Sequence, residues 1–142
     1  VETAPIQKNP NIFCTSKEIT FPVDSEMMRY ILKNSPLALN TNKENTINTK
    51  LNLLNIGSAQ ILTIPGEALP NIGFYLKRKM PTEHAFLFGL TNDALGYILT
   101  KEDFQSFDRY DYVSRTSLGE MTGEILIEEL LEMIKNNPKP TE

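Results

Sequence analysis

Apolar residues first recur at helical spacing in the segment that follows Asp24 and Ser25. Either residue can cap a helix, because both side chains accept hydrogen bonds from free backbone N–H groups of a first helical turn. The pattern predicts a helix through residues 26–32 that ends before Pro36. Its apolar face consists of Met27, Met28, Ile31 and Leu32.

Two apolar runs, residues 51–56 and 59–64, lie on either side of a Gly-Ser pair, and this arrangement is typical of a hairpin. The second run continues directly into the tripeptide PGE, which ends at Glu67. Proline and glycine stop a strand, so the pattern puts an acidic side chain at the end of a strand. Such a position holds a side chain rigidly, and it is also an ordinary place for a turn.

Beyond the hairpin the pattern predicts a helix over residues 72–80, ended by Pro81. The apolar run HAFLFGL, residues 84–90, predicts a short strand that is buried on both faces. A second short extended piece is expected at residues 97–99, and a capped helical turn from Thr100.

The longest amphipathic pattern predicts a helix over residues 118–134, with glutamates mostly on its polar, solvated face. Helices that alternate with strands, together with a hairpin, predict an α/β fold: a mixed sheet with flanking helices. Three segments are expected outside these elements: an extended lead-in at 1–16, an exposed loop at 40–50 and a tail at 135–142.

Composition and charge argue against several classes of protein. The chain has 142 residues, 40% of them hydrophobic, which is enough for one domain with a core. Its net charge of -4 argues against a nucleic-acid partner, and no apolar run approaches the roughly 18 residues of a transmembrane segment. Cys14 stands alone, so no disulfide forms within the chain. Val1 leads us to expect that an upstream segment has been removed, and the compartment stays open.

Familiar catalytic motifs are missing from the sequence, including GxSxG, the P-loop and HExxH. The single histidine, His84, is interpreted as a surface residue at a strand end. A metal site built from this chain alone would be rich in carboxylates, which suits zinc poorly. Polar residues near strand ends remain, each of which a turn or a core aromatic position also explains: Glu67, Asn92, Asp93, Tyr97, Arg109, Tyr110, Asp111 and Ser114.

The order of these residues resembles that of the neutral ceramidase family, the non-lysosomal amidases that cleave the N-acyl bond of ceramide. The resemblance runs from about Leu51 to Leu131. It rests on the strand pair that ends in PGE, on the block GLTNDALGYILTKEDF that begins at Gly89, and on the later motif RYD. The chain departs from the family after PGE, where ALP replaces Thr-Thr, and at Ala94, where the family has tyrosine.

The resemblance implies a zinc ion held by Glu67 and Tyr97, the counterparts of two ligands in the family. Two histidine ligands and a serine would come from an upstream segment that this chain does not contain. Tyr110 matches the family tyrosine that hydrogen-bonds the oxyanion, because Asp111 follows it; a strict count of the spacing gives Arg109 instead. Zinc would polarise the amide carbonyl or activate a water.

These expectations describe the C-terminal portion of a larger hydrolase domain that acts on a lipid-like N-acyl substrate. The implied partner is the upstream part of the same protein, in the same or a separate chain, and a sheet edge should lack its neighbour. The alternative hypothesis is a self-contained or inactive binding module that reuses the ceramidase-like scaffold. It predicts a metal-free monomer that unfolds cooperatively.

Overall fold

A computed structural model of the protein describes residues 6–36 and 45–141. A short 3-10 helix, Asp108–Tyr110, lies between the last strand and the last two helices. The strands and helices, in chain order, are β1 (Ile12–Pro22), α1 (Glu26–Asn34), β2 (Thr46–Ile56), β3 (Ala59–Thr63), β4 (Glu67–Ala68), α2 (Pro70–Lys79), β5 (His84–Phe88), β6 (Tyr97–Ile98), α3 (Asp111–Arg115) and α4 (Thr122–Asn136).

Four strands form the main sheet in the order β1-β2-β3-β5. The first two pairs are antiparallel, and β3 pairs with β5 in parallel. The sheet is therefore mixed, and the predicted α/β class is confirmed. A second, two-stranded sheet joins β4 to β6 in parallel, and Tyr97 extends it through a bridge to Ser117.

The core lies on one face of the main sheet. Alternate residues of β2 and β3 are buried there against α2 and α4, because successive side chains of a strand point to opposite faces. Each such side chain stabilises the fold by about 1.5–3 kcal/mol relative to exposure. Fully buried members of this core include Leu51, Leu53, Leu62, Leu76, Leu126 and Leu130.

Local patterns predicted most elements correctly. Ser25 caps α1 by accepting a hydrogen bond from the backbone N–H of Met28. The hairpin and α2 also lie where the apolar spacing indicates. Helix α4 begins at Thr122, four residues later than predicted. Within the described residues, no helix is both long enough and apolar enough to cross a membrane.

Three expectations were wrong in part. Residues 12–16 of the predicted lead-in belong to β1, where they pair with residues 52–56, and residues 46–50 of the predicted loop belong to β2, where they pair with residues 18–22. Residues 37–44 lie outside the described residues. The start of the predicted tail is still helical, since α4 continues to Asn136.

Strand β5 is also less buried than its sequence predicts. It lies at an edge of the main sheet, and Phe86 and Phe88 are half exposed on the face away from the helices. Leu87 points the other way, toward α2, where it lies close to Gly73. The expectation of burial on both faces is therefore wrong, because within the described residues only one face of β5 is covered.

The glutamate-rich face of α4 is not wholly solvated. Lys17 on β1 forms ion pairs with Glu129 and Glu132. Hydrogen bonds to these two carboxylates raise the pKa of Lys17, and the bond from Lys17 lowers the pKa of Glu132. These pairs attach the C-terminal helix to the first strand.

Candidate functional site

The candidate site lies just past the carboxyl ends of the parallel strands β3 and β5. The backbone N–H of Ile64 donates to the carbonyl of Phe88 at 2.8 Å, and that of Leu90 donates to the carbonyl of Gly66 at 3.1 Å. These bonds continue the β3–β5 pairing as far as the PGE turn and hold Glu67 in place. In α/β sheets, ligands generally bind at this end of the strands.

The structure brings Glu67 and Tyr97 together. They are paired residues of β4 and β6, so both side chains project to the same face of the small sheet. Glu67 is exposed and Tyr97 is half-buried. The negative charge of the Glu67 carboxylate is the main cause that raises the pKa of the Tyr97 phenol, with burial and Tyr112 adding to the effect.

A glycine directly precedes each member of this pair. A Cβ on Gly66 would lie 2.5 Å from the carbonyl oxygen of Gly96, the same oxygen that accepts the Glu67 backbone N–H at 2.9 Å. Gly96 has a φ of +85°, and a Cβ there would lie 2.1 Å from the carbonyl oxygen of Thr116. The glycine of PGE is therefore required by the close approach of two backbones, which sets the distance between the two side chains.

Tyr112 is the residue that sequence reasoning missed. Its ring meets the Tyr97 ring edge-on, with centroids 5.9 Å apart and planes at 70°. It is held by α3, where the backbone N–H and the hydroxyl of Thr116 both donate to the Tyr112 carbonyl. Because the backbone N–H of Tyr97 donates to the Thr116 carbonyl, the same loop fixes both rings. No sequence motif marks this contact, which depends on the path of the chain between β6 and α3.

Tyr110, the residue that the resemblance selects, has different neighbours. Its ring packs edge-on against Phe107 at 5.9 Å, and the Arg109 guanidinium lies 5.1 Å from its centroid. Glu67, Tyr97 and Tyr112 therefore lie together. Tyr110 instead packs with Phe107 and Arg109.

The other polar candidates have structural partners. The Asn92 amide donates to the carbonyl of Lys50, and Asp93 accepts a hydrogen bond from the buried Thr49 hydroxyl. The buried Ser114 hydroxyl accepts the backbone N–H of Gln105. These side chains hold loops against the sheet.

An open cleft of about 650 Å³ borders Glu67. Its other walls come from the PGE turn, α2 and the end of β5. Most of this lining is apolar, with Lys77 as a second charged residue beside Glu67. Apolar clefts with a few polar groups are typical of small-molecule sites. The lining includes Ile64, Phe74, Leu87 and Leu90.

The donor set fits half of a zinc site. Glu67 and Tyr97 offer two oxygen atoms at adjacent positions, and carboxylates are common zinc ligands. Residues 6–36 and 45–141 contain no cluster of three or more His, Cys, Asp or Glu that could hold a metal. His84 begins β5, four residues or about 13 Å of extended strand from the carboxyl end at Phe88. The nitrogen ligands that zinc prefers would therefore have to come from elsewhere.

Comparisons with known proteins bear on the fold. No family model and no curated protein matches the sequence. A solved structure titled "Ceramidase complexed with C2" superposes with a TM-score of 0.55 and 19% identity, covering 68% of this chain and 16% of that chain. Neutral ceramidase from Pseudomonas aeruginosa gives a TM-score of 0.51 and 17% identity, covering 68% and 17%. Over about two thirds of its length, this chain shares the fold of a small part of neutral ceramidase.

Proposed function

We propose that the chain is the C-terminal part of the catalytic domain of a zinc-dependent amidase, which hydrolyses the N-acyl bond of a ceramide-type substrate. The observation that carries the proposal is the pairing of Glu67 with Tyr97 at the carboxyl end of the sheet. Their position within a fold segment similar to part of ceramidase supports it.

In this proposal Glu67 and Tyr97 would hold zinc together with two histidines from an upstream polypeptide. The chemistry that zinc would supply there is that of a Lewis acid, which would polarise the amide carbonyl or lower the pKa of a water. The chain's own residues orient the reacting groups. Glu67 orients the Tyr97 phenol, and the fixed ring of Tyr112 supports Tyr97 from the side.

A tyrosine hydroxyl then donates a hydrogen bond to the carbonyl oxygen as negative charge develops on it. Water adds to the carbonyl carbon and loses a proton, the C–N bond breaks, and the leaving amine takes up that proton. We assign the donor to Tyr112 rather than Tyr110, because Tyr112 is the tyrosine in contact with Tyr97.

The cleft beside Glu67 would bind part of the lipid. Its apolar wall, which includes Phe74 and Leu90, suits a hydrocarbon chain, and Lys77 offers a charged group at the wall. Burying such a chain contributes about 25 cal/mol per Å² of apolar surface. The amide would then lie at the end of the cleft where Glu67 is found.

Tyr112→Phe and Tyr110→Phe separate the two candidate donors. In the intact protein, meaning this chain with the polypeptide that supplies the upstream segment, Tyr112→Phe is expected to lower kcat by about 10²–10³-fold, the usual effect of losing one oxyanion donor. Tyr110→Phe should leave kcat near wild type, because its ring faces Phe107 and Arg109. Steady-state kinetics on an N-acyl sphingoid substrate measures both. The reverse order would return the role to Tyr110.

Metal removal tests the proposed reaction class. Treating the intact protein with a chelator should abolish N-acyl hydrolysis, and stoichiometric zinc should restore it. Hydrolysis that is unchanged in metal-free protein would exclude the zinc mechanism. A chain that folds alone and cooperatively, and that forms no metal site with any partner, would favour the alternative binding module.

A further inference from the structure

The face of the main sheet opposite the helices carries an apolar row that crosses all four strands. Strand pairing places Cys14 beside Leu54, Leu54 beside Ile61, and Ile61 beside Phe86. Phe86 is 47% exposed, and Leu54 and Ile61 are only partly covered. We call this row and its apolar neighbours the open face: Ile12, Cys14, Leu54, Ile56, Ile61, Phe86 and Phe88.

The open face differs from an ordinary solvent-facing sheet. Such a face normally carries polar residues at alternate positions. Polar pairs lie farther along the β1–β2 pair, where Ser16 is beside Asn52 and Glu18 is beside Lys50. Thr63 and His84 are polar residues toward the two ends of the β3–β5 pair. An apolar centre bordered by polar residues is the composition of a protein interface. Monomeric proteins rarely leave a large contiguous patch of this kind in water.

We propose that the open face is the docking surface for a second apolar β-layer, and that this layer belongs to the polypeptide that completes the zinc site. This inference rests on the proposed function. The ceramidase chains whose fold this chain shares are much longer, since the matched part is only 16–17% of each. A ceramidase-like enzyme therefore contains ample further polypeptide to form such a layer.

Position also favours this occupant over a second copy of the chain. The carboxyl end of β5, which carries Phe88 on the open face, continues into Gly89 and Leu90 at the cleft beside Glu67. A polypeptide that brings ligands to Glu67 and Tyr97 must therefore approach this end of the sheet. Within the described residues β5 also has no second neighbouring strand, so its outer edge is available for backbone pairing. Two sheets that pack face to face lie about 10 Å apart, which buries side chains such as Phe86 fully.

Cys14 provides the readout, because it is the single cysteine of the chain and lies exposed in the apolar row. The rate of Cys14 alkylation by iodoacetamide is measured by mass spectrometry in the intact protein from its own cells and in the 142-residue chain alone. We expect alkylation at least about tenfold slower in the intact protein, because access then requires the two layers to separate. A thiol-directed cross-linker on Cys14 should reach the polypeptide that carries the zinc histidines.

Phe86→Ser should restore fast alkylation in the intact protein, whereas Tyr30→Ser, which changes an exposed aromatic residue on α1, should not. Equal alkylation rates in the two wild-type preparations would overturn the inference. Protection that appears in the isolated chain as its concentration rises, or a cross-link to a second copy, would identify a homodimer and also overturn it.

The test is independent of catalysis. Glu67→Gln should weaken zinc binding by at least about 100-fold and leave Cys14 protected, because Glu67 lies outside the open face. Zinc-dependent hydrolysis in a protein whose Cys14 reacts freely would overturn the docking surface and leave the proposed function standing. Protected Cys14 in a wild-type intact protein that binds no zinc and hydrolyses no substrate would overturn both, because the inferred layer is the one that carries the zinc ligands.

Discussion

Gly66→Ala is expected to lower the free energy of unfolding by about 1–3 kcal/mol, the usual cost of forcing extra volume into a packed site. The added methyl group would lie 2.5 Å from the carbonyl oxygen of Gly96. Because this oxygen belongs to the backbone, the backbone at Gly96 has to shift. The same oxygen accepts the Glu67 backbone N–H, so the shift also separates β4 from β6. Zinc affinity of the intact protein should therefore fall together with stability.

Gly73→Ala is the matched control, because it makes the same chemical change in helix α2. A Cβ there would lie 3.6 Å from the Leu87 side chain, which is an ordinary contact. Alanine should stabilise this helix by up to about 1 kcal/mol relative to glycine. Urea unfolding of the two variants measures both effects. Equal stabilities would show that the PGE turn tolerates a side chain and that the close approach at Gly66 is not a constraint.

Glu67→Gln is expected to reduce zinc binding and N-acyl hydrolysis by at least about 100-fold in the intact protein. Changing a residue that only hydrogen-bonds a metal ligand typically lowers metal affinity or activity about 10–100-fold. Glu67 is proposed as a ligand itself, so its loss should have at least the larger effect. The fold should be unaffected, with a change in unfolding free energy within about 0.5 kcal/mol, because the side chain is exposed.

Glu83→Gln is the control for this variant. It removes the same charge from an exposed residue that directly precedes β5, at the end of the strand farthest from Glu67. The control should leave both the zinc content, measured by mass spectrometry, and the steady-state rate of hydrolysis unchanged. Full zinc occupancy and activity in Glu67→Gln would remove Glu67 from the site.

Local periodicity predicted the helices and the hairpin because those elements depend on neighbours in sequence. Strand β1 could not be predicted from the apolar alternation, because Thr15 and Lys17 interrupt it. The other inward-facing residues of this half of the pattern are Phe13, Ile19 and Phe21. Lys17 is tolerated there because Glu129 and Glu132 of α4 neutralise it. A contact between residues so distant in sequence leaves no local signal.

The candidate site was predictable only in part, for a similar reason. Glu67 was visible as an acidic residue after a strand, and Tyr97 was selected through the family resemblance. The parallel pairing that joins them requires the β3–β5 crossover, which sequence spacing does not define. Tyr112 reaches Tyr97 only through the turn and short helix that precede Thr116, so no motif indicates it.

The most direct test of the proposed zinc half-site is anomalous diffraction at the zinc edge from crystals of the intact protein. We expect one strong peak about 2.0–2.2 Å from a Glu67 carboxylate oxygen, bonded also to the Tyr97 phenolic oxygen and to two histidines of the upstream polypeptide. A zinc ion bound elsewhere in an active enzyme, or an active enzyme with no metal between Glu67 and Tyr97, would contradict the assignment.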